Sequence, residues 1–142
     1  MESNMANSEP SRSGGCLCGT IRYEAKGEPS DVAVCHCTRC QRWSGSAFMP
    51  GASFTEDTVT WNTEPSFFDL NEGCKRAFCP KCGSSLAFHY SGGQLWINLG
   101  TLDDVEKLKP KYHLFTENGV SWAQTNDDLP RHAQTSAGWS NN

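Results

Sequence analysis

Alternation of apolar and polar positions with a period of two dominates the central part of the chain. Ile21, Tyr23 and Ala25 alternate with polar neighbours, and so do Val59 and Trp61. The same pattern recurs in segments 32–35, 86–90 and 95–99. Because alternate side chains of a strand point to opposite faces, the pattern predicts several short, partly buried β-strands. Gly, Pro and Asn residues separate these segments, so we expect a mainly β domain.

The segment from Thr101 to Pro110 has the signals of a helix and not of a strand. Thr101 is a suitable N-cap, Asp103 and Asp104 suit the positive N-terminal end of a helix, and Pro110 follows the expected end. We therefore expect short strands with one short helix. Only 37% of the residues are hydrophobic. The core should therefore be small, and bound metal should supply much of the folding free energy.

The length of 142 residues suits one domain. Residues 1–14 and 133–142 are mostly polar, so we expect a disordered N-terminal tail and a flexible C-terminal tail around a domain at residues 15–132. No apolar run is long enough to span a membrane, and residues 1–14 lack the features of a signal peptide. We therefore expect a cytoplasmic protein. The net charge of −4 argues against general nucleic-acid binding.

Eight cysteines are the most informative feature of the composition. Seven of them form three clusters, and Cys74 stands apart. The clusters are Cys16-Leu17-Cys18, Cys35-His36-Cys37-Thr38-Arg39-Cys40 and Cys79-Pro80-Lys81-Cys82-Gly83. Cysteines this close in sequence are better suited to binding one metal ion than to forming structural disulfides with each other. The spacings therefore predict a reduced, metal-binding protein.

Seven sulfur ligands divide into a group of four and a group of three. Four thiolates close a structural zinc site, whereas three leave a coordination position open, as a catalytic zinc requires. Spacing leaves two pairings open. In one, Cys37 and Cys40 join the third cluster, as in a zinc ribbon. In the other, the first cluster joins the third, and Cys35, Cys37 and Cys40 remain as a triad.

Other uses of the cysteines remain open from spacing alone. Both metal sites would be structural if Cys74, His36 or a distant histidine completed the second one. Iron–sulfur clusters normally take four cysteines each, and a redox C-x-x-C pair needs a strand–helix context that is not predicted here, so both are weaker alternatives. Alternation places His36 on the opposite face from Cys35 and Cys37, so we expect it to be a hydrogen-bonding histidine.

The motifs also occur in a characteristic order. They are GGCLCG at Gly14–Gly19, CHCTRC at Cys35–Cys40, SGSAF at Ser44–Phe48 and FCPKCGS at Phe78–Ser84, followed by HLF at His113–Phe115, SW at Ser121–Trp122 and DLP at Asp128–Pro130. Together they resemble the glutathione-dependent formaldehyde-activating enzyme family, which includes the centromere protein V group. The combined pattern is specific, because it runs in order through essentially residues 14–132.

This resemblance implies a β-tent, or Mss4-like, fold of short antiparallel sheets stabilised by zinc. The ligands that it implies for a structural zinc are Cys16, Cys18, Cys79 and Cys82. Those that it implies for a catalytic zinc are Cys35, Cys37 and Cys40. It also implies the making and breaking of a carbon–sulfur bond between glutathione and formaldehyde. Cys74 has no place in this ligand pattern.

We therefore predict a zinc-dependent carbon–sulfur lyase with two zinc ions per chain. Its expected substrate is a small molecule, a glutathione-type thiol adduct of a small aldehyde or related electrophile. A three-thiolate zinc is a soft site that suits a thiol. An anionic thiol would need basic residues, and those near the clusters are Arg39, Arg42, Lys75 and Arg76. A non-catalytic, zinc-stabilised binding module and a zinc hydrolase of an imine-like substrate remain as alternatives.

Overall fold

The computed structural model describes residues 9–71, 74–90 and 92–135. The strands are β1 (Ser11–Gly15), β2 (Arg22–Lys26), β3 (Asp31–Cys35), β4 (Met49–Thr55), β5 (Val59–Trp61), β6 (Ser66–Asn71), β7 (Cys74–Phe78), β8 (Ser85–Tyr90), β9 (Gln94–Asn98) and β10 (Tyr112–Leu114). Helix α1 is Thr38–Ser44. Short 3-10 helices are Glu56–Thr58, Leu99–Thr101, Val105–Lys107, Thr116–Asn118 and Ser121–Ala123.

The strands form two sheets. One has three strands in the order β1-β2-β5, and the other has seven in the order β10-β3-β4-β9-β8-β7-β6. Within the described ranges every pair is antiparallel except β10 with β3, which is parallel. The prediction of a mainly β domain with short antiparallel sheets and one short helix is confirmed.

The larger buried cluster contains residues from both sheets. On β2, Tyr23 and Ala25 are buried and alternate with exposed positions, as predicted. The seven-stranded sheet contributes Val32, Ala52, Phe54, Leu86, Ala87, Leu95 and Ile97. Cys16 and Cys79 belong to the same cluster. The first and third cysteine clusters therefore lie against this core.

A second buried cluster lies on the other face of the seven-stranded sheet. Leu95 and Ile97 belong to the first cluster and Trp96 to the second, because side chains alternate along β9. Cys35, Cys37, Cys40, Met49, Phe88, Tyr90 and Leu114 belong to the second cluster with Trp96. Gly51 of β4 lies against the Trp96 indole, where a Cβ atom would fall 1.9 Å from Nε1. Close packing at this point therefore requires glycine.

The short helix lies elsewhere than the sequence predicted. In place of a helix after Thr101, the chain forms 3-10 helices at Leu99–Thr101 and Val105–Lys107. Thr101 does not act as an N-cap, because its hydroxyl lies 2.6 Å from Tyr23 Oη and donates to a backbone carbonyl of β9. Tertiary hydrogen bonds thus replace the local cap on which the prediction rested.

The chain after Thr101 is also held by the edge strand β1. Leu102 forms an isolated antiparallel bridge with Gly14, and the Asp103 N–H donates to the Ser13 carbonyl at 2.9 Å. Leu102 has a φ of −74° and a ψ of 143°, an extended conformation that suits this bridge and that an α-helix starting after Thr101 would not adopt. The predicted helix is therefore replaced by two short pieces separated by a β-bridge.

The N-terminal boundary also differs from the prediction. β1 begins at Ser11, so residues 11–14, expected to be disordered, pair with β2 in the register Ser11↔Lys26 to Gly15↔Arg22. The rest of the two predicted tails falls largely at 1–8 and 136–142, which lie outside the described residues. No helix in the described part of the chain is long and apolar enough to cross a membrane.

Candidate metal centres

Four cysteines, here called the tetrad, come together from two turns that are distant in sequence. Cys16 and Cys18 lie in the turn between β1 and β2, and Cys79 and Cys82 lie in the turn between β7 and β8. Their sulfur atoms all lie within 4.8 Å of one another. The Sγ–Sγ distances are 3.7 Å for Cys16 to Cys18 and 3.9 Å for Cys18 to Cys79.

These distances fit a tetrahedral metal site. With a zinc–sulfur bond of about 2.3 Å, two ligand sulfurs of a tetrahedron lie about 3.8 Å apart. Four thiolates are also one of the donor sets that structural zinc sites use. The tetrad residues therefore fit a closed zinc site.

The turn of the third cluster is built around the sulfur of Cys79. The backbone N–H groups of Lys81 and Cys82 both donate to Cys79 Sγ, each at 3.4 Å. Gly83 has a φ of 81°, in the left-handed region that glycine adopts without strain. The C-P-x-C-G sequence thus forms the tight turn expected from its spacing.

The turn of the first cluster is joined to the third by a direct hydrogen bond. Cys16 Sγ accepts from the Ile21 N–H at 3.3 Å, and the Leu17 N–H donates to Ser84 Oγ at 2.9 Å. Hydrogen bonds with Ser84 lower the pKa of Cys82 to about 5. A thiolate is the form in which cysteine binds metal, so this environment favours ligation.

The triad of Cys35, Cys37 and Cys40 forms the second group of sulfurs. Cys35 ends β3, Cys37 is the N-cap of α1, and Cys40 lies in the first turn of that helix. The three sulfurs lie within 4.8 Å of one another, and the residues are only 2%, 5% and 0% exposed. Cys37 Sγ accepts from the Cys40 N–H at 3.4 Å, which links the helix cap to the cluster.

The thiols of the triad differ in pKa. Hydrogen bonds with Cys37 and then Cys40, followed by burial, raise the pKa of Cys35 far above its ordinary value. Hydrogen bonds with Cys35 and then Cys40 lower the pKa of Cys37 to about 2, and the positive charge of Arg76 acts in the same direction. A thiolate at Cys37 is therefore stabilised by two neighbouring S–H donors.

The tetrad and the triad correspond to one of the two pairings of cysteine clusters that the spacing left open. The first cluster joins the third, and Cys37 and Cys40 do not join Cys79 in a zinc ribbon. Cys74 is buried at the start of β7 and belongs to neither group. Among the described Cys, His, Asp and Glu residues, none adds a fourth ligand atom to the triad within 4.8 Å.

His36 lies in a chain of polar side chains in which the two histidines are buried and the terminal Asp127 is exposed. Its Nε2 lies 2.9 Å from His113 Nδ1, and His113 Nε2 lies 3.1 Å from both carboxylate oxygens of Asp127. A carboxylate accepts, so His113 Nε2 donates to it, and Nδ1 of a neutral imidazole then accepts from His36. Burial, and then the nearby His113, lower the pKa of His36. This agrees with the expected hydrogen-bonding role.

Comparison with known proteins adds to this geometry. The family model described as "Glutathione-dependent formaldehyde-activating enzyme" matches residues 11–118. The chain belongs to this family. It is also 30% identical, over 101 residues, to an uncharacterized lyase of Schizosaccharomyces pombe, a match that covers 70% of this chain and 74% of the yeast protein. The family predicted from the motifs is confirmed, and both matches support a glutathione-related lyase in general.

An open cleft of about 820 Å³ borders α1 in this member of the formaldehyde-activating family. Thr38, Gln41 and Arg42 of the helix line one part of it, and Phe48 and Trp122 line others. Trp122 is 79% exposed, although large aromatic side chains are usually buried. The cleft therefore combines an exposed aromatic ring with the positive charge of Arg42. Arg42 lies on the helix that carries Cys40.

The basic residues predicted near the clusters have different surroundings. Arg42 lines the cleft, whereas Lys75 lies in another depression, with its Nζ 5.7 Å from the centroid of the Phe67 ring. Arg39 is exposed, but Arg76 is only 4% exposed. Arg76 therefore does not belong to a surface patch, contrary to the expectation.

Helix α1 and Asp127 are the main features of the site that sequence reasoning missed. Gly45 follows the helix with a φ of 74° and donates its N–H to the Gln41 carbonyl. A glycine directly after a helix is a recognised C-terminal signal and would have indicated this end. Asp127 had no such signal, because only the tertiary fold brings it to His113.

Proposed function

We propose that the protein is a zinc-dependent carbon–sulfur lyase that acts on a glutathione-type thiol adduct of a small aldehyde or related electrophile. In this proposal the tetrad holds a structural zinc and the triad holds a catalytic zinc. The observation that carries it is the unequal number of sulfurs in the two groups, four in one and three in the other. A zinc with three protein ligands has an open position for substrate.

The chemistry of the donor set supports a thiol substrate. A divalent ion with three thiolates has a formal charge of −1, which weakens its ability to activate water compared with a three-histidine site. Thiolate ligands favour soft partners, and sulfur is such a partner. A zinc ion bound there would supply an open position and would lower the pKa of an incoming thiol.

The cleft along α1 supports an anionic thiol larger than the reacting group alone. Arg42 offers a guanidinium for a carboxylate of such a substrate, and Gln41 and Thr38 offer polar groups along the same helix face. Trp122 offers an exposed ring for its carbon chain. Binding energy from these remote contacts would place the reacting carbon and sulfur near the triad.

The protein must also hold the triad rigidly for such a reaction. Gln41 donates to the His36 carbonyl at 2.7 Å and to the Asn118 carbonyl at 3.0 Å, which ties α1 to the chain before and after it. The His36–His113–Asp127 chain fixes the side chain between Cys35 and Cys37. These contacts support a preorganised set of sulfurs.

A titration of the cobalt-substituted protein with thiols tests the proposal. Elemental analysis should first give two metal ions per chain. Glutathione should then produce a saturable rise in the thiolate-to-cobalt charge-transfer band, because a fourth sulfur joins the triad metal. A response to every small thiol would support an open site with another substrate. No response in folded protein holding both metals would exclude the lyase proposal and favour the binding-module or hydrolase alternative.

A further inference from the structure

A buried arginine lies in the same region as the triad. Arg76 of β7 is 4% exposed, and its guanidinium carbon lies 4.3 Å from the centroid of the Phe88 ring and 4.8 Å from that of Trp43. Phe88 belongs to the buried cluster that contains the three triad cysteines, and Trp43 packs against that cluster. Two aromatic faces therefore hold the guanidinium against the buried cluster that contains the triad.

This guanidinium has no carboxylate partner among the described residues, and one of its nitrogens is unsatisfied. Its Nη1 is buried and makes no hydrogen bond, and Arg76 forms no ion pair with any carboxylate among the residues described. An uncompensated buried charge is strongly unfavourable, and aromatic contacts offset only part of that penalty. A negative charge from another group would offset the remainder of that penalty.

The triad is the source of negative charge that the surroundings offer. The shared cluster contains the thiols of Cys35, Cys37 and Cys40, which can be anionic when they bind metal and can then supply the counter-charge. The charge of Arg76 acts on the sulfurs of Cys37 and Cys40. Nη1 is closed to solvent, so an internal counter-charge accounts for it better than a dissolved anion.

We propose that Arg76 is a positioning residue that neutralises the triad when the triad holds a divalent metal ion. Three thiolates and one guanidinium sum to −2, so a divalent ion makes the buried unit neutral. This inference rests on the proposed function in one respect, namely that the triad binds metal. Neutrality also favours entry of a thiolate, which would otherwise approach a unit of charge −1.

Arg76→Met tests this role, with Arg76→Lys and Lys75→Met as matched variants. Methionine keeps an apolar stem between the rings without charge, and lysine keeps the charge. Lys75→Met removes one positive charge and one cation–aromatic contact from the exposed side of the same strand. Cobalt affinity at each site is measured by competition with a chromophoric chelator.

We expect Arg76→Met to weaken cobalt binding at the triad by roughly 10- to 100-fold, the range seen when outer partners of metal ligands are removed. Arg76→Lys should restore most of this loss, and Lys75→Met should leave the affinity unchanged. The tetrad should be unaffected in all three variants. The loss should persist in 1 M salt, because a buried charge is little screened.

A second measurement determines how tightly an added thiol binds to protein that is saturated with cobalt. 2-Mercaptoethanol, which has no charge apart from its thiolate, should bind the Arg76→Met protein more weakly than the wild type. Should the Met variant fail to fold with the tetrad loaded, Arg76→Gln, which keeps hydrogen-bonding groups without charge, takes its place against Arg76→Lys.

The outcomes separate this role from the proposed function. Equal triad affinity in the wild type and the uncharged variant overturns the role of Arg76 and leaves the lyase proposal intact. Weak binding in the Lys variant equal to that in the uncharged one also overturns it, because shape and not charge would then matter. A wild type that loads only the tetrad overturns both.

Discussion

Replacing single cysteines by serine tests whether burial or metal binding determines how much each cysteine contributes to the stability of the fold. Cys18 is exposed and Cys40 is fully buried, so burial alone predicts that Cys40→Ser is the more damaging change. Metal binding predicts the reverse order, because Cys18 belongs to the tetrad and Cys40 to the triad. Cys74→Ser is the matched control, since Cys74 is 4% exposed and belongs to neither group.

The expected free energies indicate that metal binding, and not burial, determines the order of stability. A structural zinc supplies about 10–16 kcal/mol of apparent free energy in small domains, whereas a whole domain is stable by only about 5–15 kcal/mol. The tetrad joins the turn after β1 to the turn after β7, so its loss separates the two sheets at this end. We therefore expect Cys18→Ser to be largely unfolded at 25 °C.

Cys40→Ser should be milder. Burying a hydroxyl at a site made for sulfur costs about 1–3 kcal/mol, which lowers the melting temperature of a domain this size by roughly 3–12 °C. The triad residues lie within one strand end and one helical turn, so losing their metal opens no long-range connection. The protein should remain folded with one zinc per chain. Cys74→Ser should show a similar temperature shift and keep two.

Circular dichroism during heating, together with elemental zinc analysis of each variant, provides the assay. The reasoning is refuted if stability follows burial, so that Cys40→Ser unfolds as completely as Cys18→Ser. A loss of one zinc from Cys74→Ser would show that Cys74 closes the triad site, and the open coordination position would then be lost.

Three further predictions concern other parts of the fold. Gly51→Ala should lower the free energy of unfolding by about 1–3 kcal/mol in urea titrations, because the new Cβ would lie 1.9 Å from Trp96 Nε1. The hydrogen bond from Arg22 lowers the pKa of Asp103, so this pair stabilises the fold above about pH 4 and loses its effect as the pH falls below that value. Asp103→Asn should therefore reduce stability by less than about 1 kcal/mol at pH 7 and by nothing measurable at pH 2, because both side chains are about half exposed. Trp122→Ala should leave the melting temperature unchanged but weaken glutathione binding to the cobalt protein several-fold, since the ring is 79% exposed and lines the cleft.

Each of these changes has a control in the same chain. Gly100→Ala adds a Cβ with no atom within 4 Å, so it should be tolerated. Asp104→Asn removes an exposed carboxylate that lies 3.8 Å from Lys107, so it should change stability at pH 7 by less than Asp103→Asn does. Phe68→Ala removes an exposed ring outside the cleft and should not change thiol binding. Equal effects of a variant and its control would contradict the corresponding prediction.

Helix prediction shows where local reasoning from the sequence failed. Thr101, Asp103 and Pro110 satisfy the local rules for a helix, yet the backbone there pairs with β1 instead. The true helix starts at the N-cap Cys37, inside a cysteine pattern that predicts metal ligands and carries no local helix signal of its own. A short segment has too little intrinsic helix stability to resist tertiary hydrogen bonds, so packing decides its conformation.

The sequence also did not predict which polar residues are buried. Arg76 alternates with Lys75 along β7, and nothing local indicates which of the two faces the core. The register of β7 between β6 and β8 decides it, and a shift by one residue would exchange their faces. The same holds for Asp127, which reaches His113 only because the chain after β10 returns to pair beside it.

The sequence by itself determined the strands β2, β3, β5, β8 and β9, the clusters of cysteines and the family. Strand formation follows from alternation along a few residues, and each C-x-C or C-x-x-C unit brings its own sulfurs together through local backbone geometry. Only the tertiary structure decided which clusters meet, because Cys18 and Cys79 are 61 positions apart in the chain. Bringing them within 3.9 Å requires the two sheets to close on their shared core, and that closure depends on contacts that no local pattern records.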